Sequence, residues 1–333
     1  MTKRLLLVLG VILGLVGIVL GLTHRPDAAT AVRPGPAESV DVAKTELSYQ
    51  RLSGPARTVV RFRTSGRVVA TFTDGARTVA LPGPVRTFDD PRYTQATVTS
   101  STWVRLLPKA WTKGAETQAW FRPWLAKAWS DSTPDVLAVA AEYLDGKPPV
   151  RDSKGIRFSG DAAFGPEGDG AATREEASDF YDYLGVDWTF PNGDAEAEDR
   201  RYGAVDCSGY VRLVYGYRMG LPLLNGNAKG PGLPRRAFAI AQFAAGNVVV
   251  PNTLRQSTAY GKLQPGDLVF FDLNGSTEID HIGIYLGRDS GGHHRFVSSR
   301  KRANGPTLGD LGGTSLLDDG GYYSRGFRTA KRL

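Results

Sequence analysis

The second half of the chain places one helix-like run before a series of strand-like runs. Apolar residues recur at near-helical spacing in "DCSGYVRLVYGY", which begins at Asp206. The later stretches "NVVVP", "LQPGDLVFF", "DHIGIYLG" and "HRFVSS" are short and rich in β-branched and aromatic residues, and the last two predict a hairpin. Helices followed by several antiparallel strands, without regular alternation, are typical of an α+β fold.

Composition divides the 333 residues into four predicted parts. Residues 1–40 form an apolar segment and a Pro- and Ala-rich linker, and residues 151–169 form a second linker. Between them, residues 41–150 are predicted to be a smaller β-rich domain with helices, because short β-branched stretches alternate with the turn signals "SG" and "DGA". Residues 170–333 form the last domain, in which Thr173 and Glu176 fit the capping box of an opening helix.

The N-terminal apolar run predicts that the chain leaves the cytoplasm. It extends without a polar residue from Leu5 to Leu22, after Lys3 and Arg4. At ~1.5 Å per residue a helix of this length spans about 27 Å, just enough to cross a bilayer core. The run is longer than the apolar region of an ordinary signal peptide, yet Ala29-Thr30-Ala31 fits a cleavage pattern, so a retained anchor and a cleaved signal both stay open. Positive charge before the run predicts that the remainder lies outside the cytoplasm.

The formal net charge of +7 is concentrated in the front half of the chain. Residues 1–169 carry 22 Lys and Arg against 16 Asp and Glu. A basic surface of this kind suits an anionic cell wall or lipid headgroups. The charge is too scattered for nucleic acid, and no base-reading motif is present in the sequence.

Cys207 is the only cysteine, so the chain cannot form an internal disulfide. One interpretation is a small buried apolar residue, as free cysteines often are. The other is a reactive thiol, because a cysteine in the first turn of a helix faces unpaired backbone N–H groups and the positive end of the helix dipole. Both effects lower the thiol pKa and favour the thiolate.

A thiol nucleophile needs a base, and His281 is the best candidate among the four histidines. It heads the strand-like run "HIGIYLG", from which an imidazole can point at a helix packed across the sheet. Taken alone, it is better explained as a surface or strand-end histidine without a role. Its pairing with a cysteine at a helix start favours the catalytic interpretation.

The motifs "DCSGYV", "LQPGDLVFF" and "HIGIYLG", in this order, resemble the NlpC-type cysteine peptidases of bacterial cell walls. The resemblance covers roughly residues 170–333. It implies a papain-like domain in which a helix carrying the cysteine packs on an antiparallel sheet. It also implies hydrolysis of peptidoglycan stem peptides, typically at the γ-D-glutamyl to diamino-acid bond.

The same resemblance implies roles for individual residues. Cys207 would be the nucleophile and His281 the base, with the Cys207 backbone N–H in the oxyanion hole. The third catalytic position, which orients the base, falls on Ser298, with His294 as the alternative. The substrate-binding positions that the resemblance implies are Asp206, Ser208 and Trp188.

Two of these substrate positions have a second interpretation or depart from the family motif. Asp206 could equally be a helix cap instead of a ligand for the free amino group of the substrate alanine. Trp188, in "GVDWTFPNG", stands where the family usually has tyrosine, and the paired glycines of the family motif are missing. The phenol hydroxyl is therefore lost from this subsite.

No metal or organic cofactor is expected, because no Cys and His spacing in the sequence forms a metal cage. The expected partners are peptidoglycan stem peptides, and a wall or membrane surface for the basic front half. One alternative is a thiol acyltransferase or amidase on the same scaffold. Another is an inactive wall-binding module, supported by the serine at the third catalytic position and by the five tryptophans between Trp103 and Trp129, which could stack on sugars or form a buried helix face.

Overall fold

The computed structural model of the chain describes residues 41–168 and 173–333. These residues form a mixed fold of antiparallel sheets and short helices. The predicted membrane segment at residues 5–22 and the linker up to residue 40 lie outside the described residues. Within the two described ranges, no helix combines the length and the apolar character that a membrane span needs.

The front part is an antiparallel five-stranded sheet whose strands lie in chain order. The strands are β1 (Leu47–Leu52), β2 (Arg57–Phe62), β3 (Val68–Thr73), β4 (Thr78–Phe88) and β5 (Val98–Leu106). The turn signals "SG" and "DGA" lie between β2 and β3 and between β3 and β4, as predicted, and β1 precedes these strands. That first strand was missed because its residues are mostly exposed and show little apolar periodicity.

An aromatic core covers one face of this sheet. Phe72 of β3 stacks on Trp111 with ring centroids 4.2 Å apart, and Phe121 of helix α1 (Phe121–Ser130) packs on both rings. Trp120 and Trp124 lie partly buried against the same cluster. Both tryptophans therefore serve packing, as the buried-face interpretation predicts.

The second large sheet has six antiparallel strands in the order β10-β15-β11-β12-β13-β14. Its strands are β10 (Asn247–Val250), β11 (Leu268–Phe271), β12 (His281–Arg288), β13 (His294–Arg300), β14 (Gly305–Thr307) and β15 (Phe327–Arg332). The hairpin predicted from "DHIGIYLG" and "HRFVSS" is β12 and β13. It pairs Ile284 with Val297.

Short helices and two small hairpins complete the fold. The helices are α2 (Val136–Ala141), α3 (Phe180–Leu184), α4 (Cys207–Val211), α5 (Ala237–Phe243) and α6 (Tyr322–Gly326). The hairpins are β6 (Val150–Arg151) with β7 (Arg157–Ser159), and β8 (Trp188–Phe190) with β9 (Gly193–Ala195). Helix α4 lies against β12 and β13 and continues as a π-helical segment, Arg212–Arg218.

The helix predicted to start near Thr173 begins later than expected, at Phe180. Its cap is Asp179, which forms a capping box with Asp182 in place of the predicted Thr173 and Glu176. The preceding residues cannot be helical, because Arg174 bridges to residue 167 as extended chain and Ala177 has a φ of 102°. The three-residue spacing of a capping box is present, but it joins Asp179 and Asp182 and not Thr173 and Glu176.

The two large sheets share buried contacts, and the described residues form one compact unit. Val104 of β5, Leu137 of α2 and Val211 of α4 belong to one apolar core. The predicted boundaries at residues 41–150, 151–169 and 170–333 stay a prediction.

Arg332 provides a polar link between the two sheets. Its guanidinium binds both carboxylate oxygens of Asp267 at 2.7 and 2.8 Å and donates to Thr73 Oγ1 of β3 at 2.7 Å. Arg332 and Asp267 are almost fully buried. A buried ion pair of this kind destabilises the fold strongly when one partner is removed, because the other charge is left without compensation.

We therefore expect Asp267→Ala to lower the free energy of unfolding by about 3–5 kcal/mol. Urea denaturation followed by circular dichroism would measure the change. Glu46→Ala is the matched control, because Glu46 pairs with Arg63 at 3.4 Å and both side chains are mostly exposed. It should leave the stability almost unchanged. Equal effects of the two substitutions would contradict the structural role of the buried pair.

Candidate active site

Asp206 fixes the start of α4 and thereby the position of Cys207. It is the N-cap residue, and its Oδ1 accepts the backbone N–H of Gly209 at 2.8 Å. Its Oδ2 accepts the backbone N–H of Ala177 at 3.1 Å, which ties the helix start to the segment before α3. An N-cap carboxylate satisfies an otherwise unpaired first-turn N–H and is favoured by the helix dipole.

Gly209 is required because α4 packs closely on the chain before α3. A Cβ atom at this position would lie 2.4 Å from the carbonyl oxygen of Ser178, a contact that would force the backbones apart. Cys207 lies two residues earlier on the same helix. The close approach of this helix to Ser178 therefore depends on glycine at position 209.

Cys207 and His281 line the same cavity, which has a volume of about 700 Å³. His281 heads β12, the strand against which α4 packs. Further residues that line the cavity are Glu176, Asp280, Arg300, Tyr322 and Tyr323. The two residues that carry the predicted chemistry, 74 positions apart in the sequence, are thus brought together by the fold.

The imidazole of His281 is buried and held from behind. Its Nε2 lies 3.0 Å from Ser298 Oγ on the neighbouring strand β13, and its ring lies 5.4 Å from that of Tyr323. Burial lowers the pKa of His281 to about 3, with a further contribution from the positive charge of Arg300, while the carboxylate of Asp206 acts in the opposite direction. Since Nε2 faces Ser298, Nδ1 is the nitrogen left for chemistry.

The structure reverses the expectation of a lowered thiol pKa at Cys207. Burial raises this pKa, and the negative charges of Asp206 and Glu176 raise it further. Arg235 and the backbone N–H of Ile282, which hydrogen-bonds the sulfur, oppose the shift. Burial is the largest cause of the raised pKa, and the two carboxylates add to it.

The alternative third catalytic residue, His294, lies elsewhere. Its Nδ1 is 2.6 Å from the hydroxyl of Tyr285, and its ring lies against Tyr260. Of the two candidates at the third position, only Ser298 contacts His281.

The predicted substrate-binding residues are not among those that line the cavity. Asp206 and Ser208 are each 1% exposed. Arg235, which lies just before α5, binds Asp206 at 3.1 and 2.7 Å and Ser208 Oγ at 2.9 Å. Trp188 packs edge-on against the ring of Phe180 in the apolar core. These contacts are those of helix capping and core packing, and the predicted substrate contacts stay a prediction.

Sequence reasoning missed Arg300, Tyr323 and Glu176. Arg300 had a usable signal, since it lies two residues after Ser298 and must share its strand face. Tyr323 reaches the cavity from α6, which no pattern connects to the cysteine. Glu176 was assigned to a helix cap.

Within residues 41–168 and 173–333, no group of three or more His, Cys, Asp and Glu side chains is arranged to hold a metal ion.

Comparison with known proteins finds a family match for one segment of the chain. Residues 192–305 match the model of the NlpC/P60 family, which confirms for this segment the resemblance predicted from the sequence. The matched range includes Cys207, His281 and Ser298. It supports a cell-wall peptidase or hydrolase activity in general, acting on peptidoglycan peptides. No curated protein and no solved structure was found to match the chain.

The cap at Asp206 makes a prediction about stability and pH. Burial would raise the pKa of Asp206, but Arg235 and the N–H of Gly209 hold it at about 2, below the usual 3.8. A carboxyl group with a lowered pKa stabilises the folded state above the pKa of the unfolded chain, and this contribution disappears as the pH falls through the folded value. The stabilisation is therefore complete above about pH 4 and is lost toward pH 2.

We expect Asp206→Asn to lower the free energy of unfolding at neutral pH by roughly 2 kcal/mol and to flatten its decline between about pH 4 and 2. Thermal and urea unfolding at several pH values would measure both effects. Asp89→Asn, at an exposed position, is the control and should retain the wild-type pH profile. A steep decline that persists in the Asp206 variant would contradict this account.

Proposed function

We propose that the protein is a peptidoglycan hydrolase that cleaves stem-peptide amide bonds by thiol catalysis, at the bond between γ-D-glutamate and the diamino acid. The observation that carries the proposal is the shared cavity of Cys207 and His281, which lies in a region that matches the NlpC/P60 family. A papain-like arrangement, with the cysteine-bearing helix on the sheet, is part of the same proposal and is supported by the packing of α4 on β12 and β13.

The proposed reaction has two stages. His281 donates Nε2–H to Ser298 and accepts the proton of the Cys207 thiol at Nδ1, while the sulfur attacks the amide carbonyl. The oxyanion is stabilised by the backbone N–H of Cys207, which as a first-turn group has no partner inside the helix. Collapse passes the proton to the leaving amine and gives a thioester. Water, deprotonated by His281, then attacks the thioester, releases the new carboxyl group and restores the thiol.

The contacts of Asp206 bear on which stem peptides the site accepts. Its carboxylate already binds the guanidinium of Arg235 and lies 3.6 Å from Arg236. It is therefore not free to bind the ammonium group of a substrate. This supports a substrate whose alanine need not be a free amino terminus, such as a stem peptide still joined to its glycan.

Substitution of the catalytic pair tests the mechanism. Cys207→Ala should lower kcat for muropeptide cleavage by at least about 10³-fold, because no other thiol is present. His281→Ala should lower it by about 10²- to 10⁴-fold, since the base is lost. His293→Ala is the matched control, because His293 is exposed and contacts Asp318, and it should retain wild-type activity. Chromatography and mass spectrometry of the digested muropeptides would measure the rates and identify the bond.

The same digests distinguish the alternatives. Products joined by acyl exchange would indicate a transferase, and an unchanged substrate with normally folded protein would indicate a wall-binding module. Activity retained by Cys207→Ala would eliminate thiol catalysis.

A second measurement tests the substrate preference. Defined stem peptides with a free and with an N-acetylated terminal alanine should be cleaved with similar kcat/KM, because Asp206 is bound by Arg235. A loss of about 100-fold or more on acetylation, which corresponds to roughly 3 kcal/mol, would show that a carboxylate does bind the substrate ammonium.

We also propose that this reaction takes place outside the cytoplasm. The apolar run at residues 5–22 and the polymeric substrate support this location, and the basic front half suits an anionic wall or membrane surface. Whether the segment is cleaved or retained can be determined by amino-terminal sequencing of the exported protein.

A further inference from the structure

Arg300 is a buried cation directly behind the catalytic histidine. It is 3% exposed, and its Nε donates to Ser298 Oγ at 3.1 Å, the same oxygen that lies 3.0 Å from His281 Nε2. The three side chains form one hydrogen-bonded row on the sheet. Arg300 therefore lies two hydrogen bonds away from the imidazole.

Within the described part of the chain, the hydrogen bonds of Arg300 all go to uncharged oxygens. They are the carbonyls of Gly309 and Gly313 and the hydroxyls of Ser298 and Ser315. The guanidinium also stacks on the ring of Tyr323, with its central carbon 4.4 Å from the ring centroid. Buried cations are normally paired with a carboxylate, so a guanidinium without a hydrogen-bonded carboxylate beside a reactive cavity is unusual.

The position of Arg300 disfavours a second positive charge at His281. Ser298 Oγ uses one lone pair for Arg300, which makes it a weaker acceptor for an imidazolium N–H. Protonation of His281 would also place two cations on either side of one hydroxyl group in a buried region, where charge interactions are screened less than in water.

No carboxylate among the described residues hydrogen-bonds to this cation. Asp206, at the start of α4, binds Arg235, and Asp280 binds the backbone N–H groups of residues 273 and 274. Glu176 pairs with Lys301 at 2.9 Å.

Two further carboxylates act on Arg300 through their charge alone. Asp310 binds Arg295 and Asp90 binds Thr307, so both are engaged elsewhere and offset the guanidinium only in part. Cys207 and Tyr323 also lie near His281, and burial raises the pKa of each.

We propose that Arg300 is a positioning residue for the catalytic pair: it fixes Ser298 against His281 and keeps the imidazole neutral. The site then rests as a thiol and an imidazole instead of a thiolate–imidazolium ion pair, and the proton moves from Cys207 to His281 only as the sulfur attacks the carbonyl. This inference deepens the proposed function and rests on it for its catalytic meaning. The direction of the pKa shifts at both residues agrees with it.

The inference can be tested without any substrate, because Cys207 is the only thiol. In the full chain, NMR of the imidazole protons, assigned with His281→Gln, should show His281 neutral at about pH 5 and above. Iodoacetamide should alkylate Cys207 slowly at about pH 6, with a rate that rises only above about pH 8.

Removal of the charge should make His281 easier to protonate. In Arg300→Gln the titration of His281 should move upward by about one to two pH units, while alkylation of Cys207 at about pH 6 should stay slow. Arg300→Lys retains the charge and should resemble the wild type. Arg302→Gln removes an exposed arginine from the same cavity without contact to Ser298 and should also leave both profiles unchanged.

Two results would overturn the inference. One is an imidazolium at His281 in the wild type at pH 6, an observation that stands even if Arg300→Gln does not fold. The other is a folded Arg300→Gln protein in which His281 titrates as in the wild type. Failure of muropeptide cleavage alongside the expected titrations would instead refute the proposed function and leave the role of Arg300 intact.

Discussion

The carboxylate of Asp206 is the interaction on which the candidate site depends. It caps the helix that carries Cys207 and binds the segment before α3. It also accepts a hydrogen bond from the guanidinium of Arg235, which lies just before α5. Asp179 next to it is equally buried and binds Arg212 of the same helical stretch. Two aspartates and two arginines thus hold three separate pieces of chain in one cluster. The Asp206 carboxylate could in principle bind a substrate ammonium group, but its contacts instead hold the helix that carries Cys207 in place.

The arginines in the interior of the protein are of two kinds, which differ in whether a carboxylate binds the guanidinium. Arg212, Arg235 and Arg332 each meet a carboxylate, and these pairs join elements across the fold. Arg300 has carbonyl, hydroxyl and aromatic neighbours instead, and it lies beside the reactive residues. The difference matters physically. A guanidinium bound by a carboxylate mainly holds chain segments in position, whereas one without a bound carboxylate also shifts the pKa of neighbouring groups.

Local patterns in the sequence predicted the elements of the site better than its electrostatics. The strand runs around His281 and the helical run after Cys207 follow from periodicity, and the contact of Ser298 with His281 agrees with what the family resemblance implies. The pKa of Cys207 could not be predicted, because it depends first on burial and then on the charges of Asp206 and Glu176, all of which are set by tertiary packing. The start of α3 was misplaced because a positive φ at Ala177 and a bridge at Arg174 are invisible to a capping pattern. The contact between Arg235 and Asp206 could not be predicted, because Arg235 lies in an irregular segment without the periodic pattern from which a position could be inferred.

The position of β15 has a consequence for how the chain folds. This strand follows every other strand in the sequence, yet it lies between β10 and β11. In the described sheet β10 pairs with β15, whose residues come at least 77 positions later in the chain. One side of β11 also pairs with β15, at least 56 positions later. Sheets built from such distant contacts form slowly, because loop-closure entropy is lost before the contacts repay it. Until then the unpaired strand edges are open to association with other chains, so folding of this protein favours dilute conditions or the help of a chaperone.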